Sequence, residues 1–268
     1  MPTVPLRPRA ALPGVALLRW LGDARRRVDY GAMVLVLALS PSSYRNRAMR
    51  ASLLRHVWLD TAPILPGFSI LSALLTIVIT RIVVVTARSY GLSQYALEMV
   101  IRVLVLELIP LTAALFVALR CTIPNGAALA EMRRQGHDSE LRRRGRDPML
   151  EEVLPRVLAG AFSAITLAAL SCAVATVLAY FAVYGGTPAG FPAYTRIFAR
   201  VFMPSVSIIF GLKTLFFSLA VALIPVVASG AEQVGRPGSR AHAALQGLVR
   251  MFAVLLLLEA LSLVGNYY

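Results

Sequence analysis

The sequence predicts an all-helical integral membrane protein, with an N-terminal interfacial amphipathic helix followed by five transmembrane helices. Three observations carry that prediction. The 268 residues are 58% hydrophobic with a mean hydropathy of +0.72, well above the roughly half-apolar usage of soluble domains. No formal charge occurs between Arg156 and Arg196, a run longer than the ~20 apolar residues needed to cross a bilayer. The formal charge of +14 is carried by arginine and a single lysine, Lys213. These cations flank apolar runs instead of forming one solvated patch, which argues for membrane topology and against nucleic acid.

The first apolar segment, Val15 to Leu39, holds Asp23, Arg25, Arg26, Arg27 and Asp29 at its centre. A helix of that kind lies along the membrane interface. A sixth, poorly apolar span is the alternative, and it would move the N-terminus across the membrane. The same charges leave no clean apolar core for a cleavable signal peptide. A short basic stretch, Arg45 to His56, leads to the first span, about Pro63 to Ala87. The others run from about Ala96 to Arg120, within Leu154 to Tyr184, from about Met203 to Ala228, and from about Leu245 to Gly265. Residues 1–60 then read as a basic cytoplasmic N-terminal part, and 61–268 as a five-helix domain with a cytoplasmic loop at 121–153.

Arginine placement orients the spans. Ten arginines from Arg7 to Arg55 precede span one, six from Arg133 to Arg146 lie between spans two and three, and Arg236 and Arg240 lie between spans four and five. The opposite side has Arg88, Arg196 and Arg200. The positive-inside rule places the N-terminus in the cytoplasm and the C-terminus outside.

Ionisable groups within spans default to a functional or pairing role. These are Arg81 in span one, Arg102 and Glu107 in span two, Lys213 at the opening of span four, and Glu259 in span five. Arg81 and Arg102 have stems long enough to snorkel, and Arg102 can pair with Glu98 one turn away. The glutamates are too short to reach an interface. Pro110, three residues after Glu107, can kink its helix. The mixed-charge loop 131–152 contains Arg133, Arg134, Glu140, Arg142, Arg143, Arg144 and Asp147. It reads either as a partner's docking site or as a solvated loop attracted to anionic lipid. Cys121, Cys172 and the isolated, loop-assigned His56, His137 and His242 have no metal-ligand spacing. No metalloprotease helix motif, nucleophile elbow or phosphate-binding loop is present, so the chain is expected to bind no cofactor and catalyse no reaction itself.

Several segments in order resemble the MlaE-type permease family, the membrane subunits of ATP-binding cassette lipid transporters. LELIPLTAALFVALR is similar to the family's RELGP-x-x-AAL-x-x-AGR stretch at Glu107, Pro110, Ala113, Ala114, Leu115, Ala118 and Arg120. DPMLEEVLPRVLAG matches at Asp147, Pro148, Val153, Pro155, Arg156, Ala159 and Gly160, and the later segments match at Lys213, Gly230, Ala231, Glu232, Val234, Gly235 and Arg236. The resemblance implies a permease dimer in the bacterial inner membrane. It also implies an ATPase on the cytoplasmic side that holds the ATP, and a periplasmic protein with MCE domains. Phospholipid or another apolar lipid would move between membranes, with Glu107, Lys213 and Glu259 near its path or coupled to its movement. Leu106 and Ile109 depart from the family's arginine and glycine. LRCTIPNGA lacks two glycines that allow close helix approach, and HDSELRRRGRDP inverts the charge of the ATPase-docking run. These departures suggest a divergent subfamily, one half of a heterodimer, or a non-transporting structural or regulatory subunit built on the permease fold. A membrane-embedded lipid-modifying enzyme is disfavoured by the missing motifs.

Overall fold

The computed structural model describes residues 13–92, 95–231 and 240–267, with side chains left undescribed near the outer ends of the first and last helices. Glu232, Val234, Gly235 and Arg236 lie outside the described residues, as do Arg7 and Arg9. The described chain forms nine helices: α1 (Pro13–Leu39), α2 (Arg47–Thr61), α3 (Leu65–Ser89), α4 (Ala96–Arg134), α5 (His137–Arg143), α6 (Met149–Tyr184), α7 (Phe191–Val201), α8 (Pro204–Ala231) and α9 (Arg240–Tyr267). Among the described residues five helical stretches are long and apolar enough to cross a membrane, and α1 is not one of them.

Helix α6 is the centre of the bundle. It packs against α2, α3, α4 and α8, while α8 also contacts α9, α1 and the end of α4. One core cluster joins all five spans through Phe68, Val117, Leu167, Phe217 and Leu255. A second lies toward the arginine-poor end and holds Leu104, Val105, Ala175 and Val201. A third, at the arginine-rich end, fastens α1 by packing Val34 with Leu129, Val157 and Val226. The outward side of α1 leaves Val28, Val36 and Leu39 exposed, as suits a helix lying against lipid headgroups.

Helix α4 corrects the expected loop at 121–153. Its 39 residues extend about 58 Å at 1.5 Å per residue, nearly twice the ~30 Å hydrocarbon thickness. The second span therefore continues as helix through residue 134. A turn at Gly136 (φ +76°) starts α5, and Gly145 (φ +70°) reverses the chain toward α6. Left-handed backbone of this kind favours glycine. His56 and His137 are helical, in α2 and α5, and His242 falls within α9. The amphipathic α7, absent from the sequence reading, packs Ile197 and Phe198 on the second cluster. Tyr194 there donates its hydroxyl to the Thr176 carbonyl at 3.0 Å. Its signal was the helical spacing of Tyr194, Phe198 and Val201.

Three π-helical segments interrupt the α geometry, and each ends two residues before a proline: Ile101–Leu108 before Pro110, Ala118–Thr122 before Pro124, and Met149–Val153 before Pro155. Proline lacks the N–H that would bond the carbonyl four residues back and clashes with it. Widening the turn relieves that clash, and the released carbonyls need other donors. Ser52 Oγ reaches Glu151 O at 3.4 Å, and Cys172 Sγ reaches Val105 O at 3.4 Å.

The loss of two family glycines does not hold the helices apart, because Gly126 provides a close contact of its own. A Cβ there would lie 2.9 Å from the Pro225 carbonyl oxygen of α8. Gly126→Ala is expected to lower the thermal stability of the detergent-solubilised chain by about 1–3 kcal/mol, the usual cost of overpacking. Unchanged unfolding would show that the α4–α8 contact can relax.

Candidate functional site

Pro110 shapes the site before any side chain reaches it. Because Pro110 donates no bond to Leu106, the π turn presents the Leu106 carbonyl sideways, and Lys213 Nζ of α8 donates to it at 3.2 Å. Lys213 Nζ also hydrogen-bonds Glu107 Oε2 of α4 and contacts Glu259 Oε2 of α9 at 2.7 Å. The Phe217 ring, one turn further along α8, closes one side with its centroid 5.7 Å from the ammonium. The Lys213 side chain is only 2% exposed, and those of Glu107 and Glu259 are 11% and 13% exposed. Sequence reading set Lys213 at the opening of span four, but it lies nine residues inside α8, which starts at Pro204.

The depth of the three groups agrees. Glu107 is eleven residues from the start of α4, Lys213 nine from the start of α8, and Glu259 eight from the end of α9. At 1.5 Å per residue these offsets are about 16, 14 and 12 Å, close to half of a ~30 Å hydrocarbon layer. Two carboxylates and one ammonium thus meet near mid-depth on three different spans. Removing the lysine from this group leaves buried carboxylates without a cation, at a cost of about 3–5 kcal/mol.

Other candidates stand apart from this cluster. Arg102 pairs with Glu98 at 3.0 Å, the neutralising contact its spacing allows. Arg81 is exposed on α3 and makes no ion pair among the described residues. Of the docking candidates, Arg133 is turned inward with 8% of its side chain exposed; it cannot present its charge to a partner. Arg134 pairs with Glu131 at 3.1 Å, and Arg144 with Glu140. Asp147 Oδ1 accepts the Met149 N–H at 2.9 Å at the start of α6. Arg142 and Arg143 are exposed and make no ion pair among the described residues. Sequence reasoning missed Leu106, whose carbonyl completes the lysine's environment; the proline four residues later was the available signal.

Five apolar helices, three of them joined by a buried acid–base–acid cluster, make this a multi-pass membrane protein. The chain belongs to the MlaE permease family: the family model described as Permease MlaE matches residues 53–264, most of its length. Members are membrane subunits of transporters, so the chain is an ABC-type lipid permease subunit and not an enzyme. No curated protein matches the sequence.

Proposed function

We propose that this chain forms, with a second permease subunit, the membrane core of a phospholipid transporter in the bacterial inner membrane. An ATPase binds at the arginine-rich cytoplasmic end and an MCE-domain protein at the opposite, periplasmic end. The supporting observation is the Glu107–Lys213–Glu259 cluster at mid-depth in an MlaE-family chain. Acyl chains gain little by leaving a bilayer for another apolar surface, whereas moving a charged headgroup through hydrocarbon is costly. The ammonium can receive a phosphate, and a displaced carboxylate can receive a headgroup amine. Glu107, Lys213 and Glu259 are therefore assigned to the headgroup's path, and Arg81 and Arg102 to positions outside it.

The test is reconstitution of the complex in vesicles with ATP and a fluorescent phospholipid, followed by transfer to acceptor vesicles. ATP-dependent transfer that falls in Glu107→Gln and Glu259→Gln supports the reading. A chain purified in mild detergent without an ATPase or an MCE-domain protein, and whose deletion leaves lipid transport intact, refutes it.

Docking at α5 gives a second expected result. Changing Arg142, Arg143 and Arg144 together to Gln should weaken ATPase association by about tenfold, equivalent to about 1.4 kcal/mol. Raising the salt concentration should weaken wild-type association in the same direction. Pull-down or light-scattering titration measures it. An ATPase that never binds, with or without the substitutions, would favour the structural-subunit reading.

A further inference from the structure

Outside the mid-depth cluster, the most connected buried charge among the described residues is Arg133, at the arginine-rich end of α4. Its Nε donates to Asp138 Oδ2 of α5 at 3.3 Å, its Nη1 to Ser229 Oγ of α8 at 3.4 Å, and its Nη2 to Tyr30 Oη of α1. The guanidinium also lies over the Tyr30 ring, 5.4 Å from its centroid. Burial raises the Tyr30 pKa, against the lowering effect of Arg133. Ser229 is anchored in turn, donating to Val226 O at 2.7 Å. At Gly230 a Cβ would come within 3.2 Å of the Tyr30 ring and 3.3 Å of Arg133 Nη1, so glycine there lets α8 approach this node.

One planar guanidinium thus holds four helices, and its rigid fork makes it better suited to this than a lysine. Helix α5 is otherwise tied to α4 by the short turn at Gly136 and to α6 by the His137–Glu152 contact at 3.9 Å. Ser229 lies sixteen residues beyond Lys213 on α8, about 24 Å along one helix. The Pro225 interruption between them is backed by Gly126 of α4. A displacement of α5 therefore has a contiguous physical route to the helix that carries Lys213.

We propose that Arg133 is a positioning residue for transport, which locks α5 to α1 and α8 so that ATPase movement at α5 displaces the helix bearing Lys213. This rests on the permease reading above.

Two measurements test it. In the assembled complex, Arg133→Ala should cut ATP-dependent phospholipid transfer about fivefold or more, within the usual range of coupling between sites, while ATP hydrolysis stays near wild type. Arg133→Lys should recover part of the loss. Proportional loss of hydrolysis and transfer, or no change in either, overturns the proposal. If Arg133→Ala fails to assemble, Tyr30→Phe and Ser229→Ala are judged by the same split. Hydrogen exchange on the purified chain supplies the second measurement, and it needs no transport. Arg133→Ala should speed exchange in both α5 and the Ser229 end of α8, and faster exchange in α5 alone overturns the linkage. A wild-type complex that moves no lipid would defeat the proposed function, and the exchange result would still judge the linkage.

Discussion

Lys213→Met is expected to abolish ATP-dependent lipid transfer and to lower the stability of the chain by about 3–5 kcal/mol, the cost of stripping a buried pair of its partner. The lysine serves two carboxylates and one carbonyl from three directions. Its loss leaves Glu107 and Glu259 facing each other without a cation. The triple variant Lys213→Met with Glu107→Gln and Glu259→Gln should regain much of the stability, because neutral replacement of a buried ionic group is often tolerated. Transfer should stay lost, because the headgroup's charged partners are gone. Thermal unfolding in detergent and vesicle transfer separate the two effects. Full transfer by the triple variant would remove the cluster from the transport path.

Pro110→Ala should produce the opposite pattern, with stability nearly unchanged and transport reduced. Alanine restores the N–H and lets the π turn relax to α geometry, worth up to about 3 kcal/mol in helix propensity. That bond captures the Leu106 carbonyl from Lys213, and a hydrogen bond to a charged group is worth about 1.5–3 kcal/mol. The two terms are similar in size and opposite in sign. The rearranged turn also rotates Glu107 away from Lys213, which should lower transfer well below wild type. Wild-type transfer by Pro110→Ala would show that the widened turn does not serve the site.

Much of this organisation was readable in the residue order. The uncharged run after Arg156 and the charge cluster inside Val15 to Leu39 separate spans from an interfacial helix, because hydrocarbon excludes charge and headgroups accept it. Glu107, Lys213 and Glu259 stood out singly for the same reason. The extent of α4 was less legible: Ile123 to Arg134 is polar enough to read as loop, and its helix is held by packing Gly126 and Leu129 against α8 and α6. The arginines of the connecting segment were legible as charge but not as direction.

The sequence by itself determined the helical membrane class, the number of spans and which charges would be costly to bury, since these follow from transfer free energies that act residue by residue. Only the tertiary structure decided that the acid–base–acid residues meet around a carbonyl released by Pro110. It also decided that Arg133 points inward while Arg142 and Arg143 point out. Those outcomes depend on which faces of α4, α8 and α9 are turned toward one another, and helix rotation is set by packing between distant segments rather than by any local pattern.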